Sequence, residues 1–340
     1  MKGRIVVIGA SLSGIDALSR LVEHLPANFP APVLITQHVA AHSPGMLPYI
    51  LAKAGHLPAL HPKSGELIEP GHIYVAPPDR HMLVHPGYIH LSHGPRENHA
   101  RPAIDPLFRS AAISYGPATI GVVLTGQLDD GTAGLLAIKD RGGMTVVQEP
   151  SEATAPSMPR SALAHVSVDH CCTLEEIGRL LVLLANDDPA TPEPADLDQL
   201  IEIENRIAEG IFQIDDWLKL EQTSEPSGLN CPTCRSALYE LSDKRMLRFR
   251  CRAGHAFSAE SLLSEQAESR ETQLSSVFGA LTEEMTLGRR LLESVPYKRS
   301  ADLTAGLNAR IEAIEREAEQ VCEWQRALTG LVEPEPDAPL

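Results

Sequence analysis

The sequence predicts an α/β fold: a doubly wound, mainly parallel sheet, followed by a small Cys/His module and a helical hairpin. Three observations carry this. Short, wholly apolar strand patterns alternate with helical ones through residue 185. Two cysteine pairs' worth of ligands, C-x2-C and C-x3-H, stand between Cys231 and His255. Beyond them, apolar residues recur at three-and-four spacing. Apolar strands separated by helices signal a sheet covered on both faces.

RIVVIGA is the first strand, and Ile15, Leu18 and Val22 mark a helix over 13–24. PVLITQ is a second strand, with a helix near 45–54. HIYVAP, HMLVH and YIHLS are short strands, and 104–115 is helical. TIGVVLTG is a strand, DGTAGLLAIKDRG a helix stopped by Gly142–Gly143, MTVVQ a strand, and 174–185 a closing helix.

Charge places the domain boundary. Residues through Ala185 carry 13 Lys/Arg against 15 Asp/Glu, whereas the rest carry 16 against 30. Thirteen of the 14 histidines precede residue 186. NDDPATPEPAD, with its prolines and acids, reads as a solvated linker. The expected organisation is an α/β domain over 1–185, a linker over 186–196 and a helical connector over 197–225. A metal module over 226–260, a helical hairpin or coiled coil over 261–330 and a disordered tail over 331–340 follow.

Composition excludes several functions. A formal net charge of -16 repels phosphate backbones, and 4% aromatics leave little for base stacking, so nucleic acid is not an expected partner. No run of 18 apolar residues spans a membrane, and Ile5–Ala10 is too short for a secretory core. Six cysteines are too few for a disulfide framework, and a cytoplasmic protein is expected.

In such sheets ligands bind beyond the carboxyl ends of the strands. The first strand ends in Gly9-Ala10-Ser11-Leu12-Ser13-Gly14. Ser11 there is either a helix cap or a nucleophile on a tight turn, with the Leu12 N–H as an oxyanion donor. A dinucleotide site is disfavoured: Ser11 replaces the central glycine, and the second strand ends in Gln37-His38 rather than an acid. His38 is a structural histidine or a general base. Asp129-Asp130 before Gly131 is a turn and helix cap or holds an orienting acid. Taken together, the three ends suggest acyl transfer, with Ser11 attacking, His38 taking its proton and Asp130 fixing the imidazole.

VVIGAS, VLITQH, IEPGHIYVAPPDRHMLV, RPAIDPLFRSAA, VVLTGQLDDGTAGLLAIKDRGG and MPRSAL together closely resemble the CheB-type chemotaxis methylesterase catalytic domain, over roughly residues 4–180. The resemblance implies a serine hydrolase that demethylates glutamate γ-methyl esters on methyl-accepting chemoreceptors, with glutamine deamidation as a companion activity. By position it assigns Ser11, His38 and Asp130 as the triad, the Leu12 and Gln127 N–H groups as oxyanion donors, and Arg101 to the substrate cleft. Ser13 and Gln127-Leu128 depart from the family's G-A-S-x-G-G and Met-Gly patterns. The chain starts at the catalytic strand, so a receiver-less arrangement is expected, with the appendage docking a chemoreceptor or a signalling kinase. The alternative is a catalytically degenerate CheB-like scaffold.

Cys231, Cys234, Cys251 and His255 suit structural tetrahedral zinc, since thiolates and imidazole fill all four positions. ALYEL and MLRFR supply strands for a zinc ribbon, and a CPxC…RCxxGH segment also resembles that of a receiver-less subgroup. Cys171, Cys172 and Cys322 are read as ordinary thiols. Residues 197–220 are helical in pattern. Ala267, Leu274, Val277, Leu281, Leu291 and Val295 trace one helical stripe, and Leu303, Leu307, Ile311, Ile314, Ala318, Val321 and Leu328 a second.

Overall fold

The computed structural model describes residues 3–189 and 199–329, except 212, 244 and the side chains of 295, 297 and 329. Most of the expected linker and the whole expected tail lie outside the described residues. The chain divides into two compact units, at Leu262/Leu263.

The first unit opens with β1 (Ile5–Ala10), α1 (Gly14–Glu23), β2 (Val33–Gln37), α2 (Leu47–Ala54), β3 (Ala59–Leu60) and β4 (Ile73–Val75). A hairpin of β5 (His81–His85) and β6 (Tyr88–Ser92) follows, then α3 (Ile104–Tyr115), β7 (Thr119–Val123), α4 (Thr132–Asp140) and β8 (Met144–Gln148). α5 (Ser157–His165), β9 (His170–Cys172) and α6 (Leu174–Asn186) complete the α/β part. The seven-stranded parallel sheet has the order β3-β4-β2-β1-β7-β8-β9. The chain winds outward from β1 in both directions, so the switch point lies between β1 and β7. HMLVH and YIHLS do not join this sheet; they pair antiparallel with each other and pack on α3.

Strand periodicity builds a core on each face. Val6 and Ile8 join Leu18, Leu21, Leu51, Ile177 and Leu181 on one side. Ile5 and Val7 join Leu107, Phe108, Leu135, Ile138 and Met158 on the other. This alternation follows from the two-residue period of a strand, and apolar residues on both faces bury the central strands β1, β2, β4 and β7 completely.

The rest of the first unit comprises α7 (Gln199–Glu209), α8 (Ile214–Gln222) and an antiparallel four-stranded sheet. Its strands are β10 (Ser224–Asn230), β11 (Ala237–Leu241), β12 (Arg248–Cys251) and β13 (Ala256–Ser258). ALYEL and MLRFR thus form β11 and β12, joined by two strands the sequence did not mark.

A buried ionic cluster ties this sheet and α7 to the α/β part. Glu97 accepts from Arg109 Nη2 at 2.9 and 3.1 Å and from Arg250 Nη2 at 3.1 Å. Glu204, on α7, accepts from Arg250 Nη2 at 2.9 Å and from Arg248 Nη1 at 2.9 and 3.1 Å. Glu97 is 2% exposed, Glu204 1% and Arg250 0%. Burial alone would favour neutral carboxyls, but the three guanidiniums hold both acids below their ordinary range. Such a cluster adds little over an apolar core, yet losing one member strands buried charge.

The second unit holds most of α9 (Ala259–Leu292), then α10 (Val295–Lys298) and α11 (Ala301–Thr329). Arg289 pairs with Glu315, Arg310 with Glu284 and Gln325 with Ser275, so α9 and α11 run antiparallel as a helical hairpin. Ile311, Ile314, Ala318 and Val321 are buried, but Val277, Leu291 and Leu303 are exposed. The apolar stripes are therefore buried only in part. No helix among the described residues is long and apolar enough to cross a membrane.

Replacing Arg250 by Ala should destabilise the first unit by about 3–5 kcal/mol, because Glu97 and Glu204 lose their shared cation. Urea denaturation measures this; a loss below about 1 kcal/mol would contradict the role given to the cluster.

Candidate active site and metal centre

The three strand ends meet. Ser11 follows β1, His38 follows β2, and Asp130 lies in the loop from β7 to α4. The Ser11 Oγ to His38 Nδ1 distance is 3.1 Å, and His38 Nε2 lies 2.7 Å from Asp130 Oδ2. An ionised Asp130 only accepts, so Nε2 carries the proton and donates to it. This leaves the Nδ1 lone pair to accept from the Ser11 hydroxyl, the tautomer a general base needs.

Asp130 is 3% exposed yet charged. Burial pushes its carboxyl up, but the His38 contact and donated hydrogen bonds outweigh this and hold it down at about 2. Ile104 N–H donates to Oδ2 at 2.7 Å; Gly131 N–H and Asn98 Nδ2 donate to Oδ1 at 3.0 and 2.9 Å. Asp105 sits beside it, pushed well up by burial and by the Asp130 charge.

Backbone geometry fixes the position of Ser11. Ser11 N–H donates to Thr125 O at 3.0 Å, and His38 N–H to Ala10 O at 3.1 Å. Gln37 Nε2 donates to the carbonyls of both Ser11, at 2.7 Å, and His38, at 3.0 Å. Gly14 makes room for that amide, since a Cβ there would lie 2.1 Å from Gln37 Oε1. Gly126 likewise passes close to Ser11, where a Cβ would stand 2.9 Å from the serine Cβ. Among the described residues, neither the Leu12 nor the Gln127 N–H has a hydrogen-bond partner.

Ser13 and Leu128 both have φ near 60°. Left-handed backbone at such residues costs about 1 kcal/mol, a cost glycine avoids. Ser13 makes no capping hydrogen bond with its side chain. The two departures noted in the sequence therefore strain their turns, while Ser11 Oγ still lies 3.1 Å from His38 Nδ1.

Ser11, His38, Asn98, Arg101, Gln127 and Asp130 are among the residues lining a cavity of about 400 Å³. Arg101 lies on its wall, but its Nε and Nη2 donate to Asp79 Oδ1 at 2.9 and 2.7 Å, and its Nη1 to Gly94 O at 2.9 Å. Most of its donors thus hold the loop.

Cys231, Cys234, Cys251 and His255 also converge, with ligand atoms within 4.8 Å of one another. Cys234 Sγ lies 3.6 Å from Cys251 Sγ, and His255 Nδ1 lies 3.4 Å from Cys251 Sγ and 3.7 Å from Cys231 Sγ. Zn–S and Zn–N bonds of about 2.3 and 2.0 Å in a tetrahedron require separations of roughly 3.5–3.8 Å. The donor set and its spacing fit such an ion.

Sequence reasoning missed Asn98, Ser258 and Ser261, which lie in a loop and around the start of α9 with no motif to mark them, and gave no role to Asp105, although it lies in the RPAIDPLFRSAA segment. Asp129 was noted only as a turn acid. It is 3% exposed, and Ser258 Oγ donates to its Oδ1 at 2.6 Å. Burial raises its carboxyl to about 6 despite that hydrogen bond. The folded state therefore holds a proton that the unfolded state, with an ordinary Asp near 3.8, releases earlier. Stability falls as pH rises from about 4 through 6. Asp129→Asn should raise stability by up to about 3 kcal/mol at pH 7.5 and change it little near pH 4. Denaturation at both pH values checks this; an equal change at both would contradict it.

The profile of the CheB methylesterase family matches residues 6–181. A protein of Leptospira interrogans, provisionally named a protein-glutamate methylesterase/protein-glutamine glutaminase, is 40% identical over 180 residues, covering 53% of this chain and 93% of that protein. Protein-glutamate methylesterase/protein-glutamine glutaminase 2 of Anaeromyxobacter dehalogenans is 38% identical over 177 residues, covering 52% of each chain. The present chain thus spans about half the length of that relative. The crystal structure of the Thermotoga maritima CheB methylesterase catalytic domain superimposes with a TM-score of 0.52 at 32% identity, covering 54% of this chain and all of that one. The chain belongs to the CheB methylesterase family.

Proposed function

We propose that this protein is a serine hydrolase that demethylates glutamate γ-methyl esters on methyl-accepting chemoreceptors. The observation that carries the reading is the Ser11–His38–Asp130 relay beside two unpartnered N–H groups. The names of the relatives supply the substrate class.

Ser11 Oγ attacks the ester carbonyl carbon as its proton passes to His38 Nδ1. The N–H groups of Leu12 and Gln127 take up the oxyanion; each such donor is worth about 3–4 kcal/mol in the transition state. The intermediate collapses by breaking the carbon–methoxy bond, and methoxide leaves as methanol with the proton from His38. Water, deprotonated by His38, then attacks the acyl carbon and releases the glutamate carboxylate and free Ser11. A glutamine side chain follows the same course with ammonia as the leaving group. Arg101, held by Asp79, faces the substrate from the cavity wall. Cys231, Cys234, Cys251 and His255 would hold a zinc ion, which would stabilise the fold and take no part in the ester chemistry. The helical appendage is the part we assign to receptor or kinase docking.

Methanol release from a methylated chemoreceptor fragment tests the reaction. Ser11→Ala should lower turnover by about 10⁴-fold or more with the fold intact. Equal release by both proteins would refute the role of Ser11, and no release by the native chain would favour a scaffold. Metal analysis should find one zinc per chain, lost in Cys251→Ser, with the melting temperature lowered by chelation. Full retention of metal by that variant would contradict the ligand set.

A further inference from the structure

The antiparallel sheet does more than sit beside the α/β part, because it reaches the catalytic acid through one side chain. Asn98 Nδ2 donates to Asp130 Oδ1 at 2.9 Å and to Asp105 Oδ2 at 2.9 Å. Asn98 Oδ1 accepts from Ser258 N–H at 3.0 Å and from Ser261 Oγ at 3.1 Å. Both amide protons and both carbonyl lone pairs are thus in use. The orientation is forced, since a backbone N–H such as that of Ser258 can only donate. Turning the amide over would set its oxygen against the charged Asp130 carboxylate and its NH2 against that N–H.

The backbone supports the same arrangement. Asn98 has φ 48°, a left-handed conformation that Asn tolerates better than most residues. Its N–H donates to Ala256 O at 2.9 Å, and Glu97 bridges Ala256 in parallel register. Ser258 ends β13, whose strand begins directly after His255, and Cys251 N–H donates to His255 O at 3.0 Å. The Cys/His cluster therefore closes the hairpin that delivers Ser258. Ser261 stands in the first turn of α9, its N–H donating to Ser258 Oγ at 3.0 Å.

We propose that Asn98 is a positioning residue for the catalytic acid and that Ser258 and Ser261 hold it in place, so that the antiparallel sheet and the first turn of α9 form part of the esterase site. The proposal rests on the triad reading given above. Asn98 separates Asp130 from Asp105 with a shared NH2 group and fixes the carboxylate that in turn fixes His38. Residues far downstream in sequence thereby set how well Ser11 is activated.

The test uses the full chain, hydrolysis of p-nitrophenyl acetate, and the low-field NMR signal of the His38 Nε2 proton. Asn98→Ala should lower kcat by about 10- to 100-fold with KM within twofold, and should shift or abolish that signal, by analogy with other supporting-shell groups. Ser261→Ala should act in the same direction, several-fold more weakly. The double variant should be no worse than Asn98→Ala alone, because Ser261 works through Asn98. If Asn98→Ala folds poorly, Ser261→Ala and its NMR signal still decide the matter. Unchanged kcat and an unchanged signal in Ser261→Ala and Asn98→Ala, or effects that multiply in the double variant, would overturn the proposal. Native protein no faster than Ser11→Ala would overturn the triad reading and this inference with it.

Discussion

A charged carboxylate buried at the end of a parallel sheet is the constraint from which the rest of the site follows. Asp130 must remain ionised at 3% exposure, so nearly every lone pair it has needs a donor. The loop before α4, the start of α3, His38 and Asn98 supply them. Each of those donors is then itself fixed. The tautomer of His38, and with it the lone pair facing Ser11, is a consequence of that one charge.

The same demand explains why two regions far apart in sequence are fused into one unit. Asn98 satisfies Asp130 only because Ser258 and Ser261 satisfy Asn98. The loop carrying Asn98 begins at Glu97, whose charge is balanced by Arg109 from α3 and Arg250 from β12. Electrostatic balance and site geometry thus share a boundary. The Cys/His cluster lies at the other end of the β12–β13 hairpin, where folding of a small module benefits most from a fixed ligand set.

Much of this was legible in the sequence, and the reason is local chemistry. Apolar strands such as RIVVIGA and VLITQ declare themselves, and a polar residue directly after one stands out, as Ser11 and His38 do. The spacing of Cys231, Cys234, Cys251 and His255 is equally explicit. Asn98 was invisible because it sits in a loop and works through partners about 160 residues away. α5, rich in small residues and holding a proline, showed no apolar period. HMLVH and YIHLS read correctly as strands, but nothing in their pattern tells a separate hairpin from the edge of the main sheet. The need for left-handed backbone at Ser13 and Leu128 shows only through the glycines of the family pattern at those positions, since neither residue announces it by itself.

The central claim is that Ser11 is an activated nucleophile because Asp130 is held charged behind His38. Fluorophosphonate labelling, with the adduct located by peptide mass spectrometry, tests this most directly. The account predicts a single rapid adduct on Ser11, slowed by orders of magnitude in a folded Asp130→Asn variant, whose amide no longer enforces the required tautomer. Labelling elsewhere, or labelling of Ser11 at the same rate in both proteins, would contradict it.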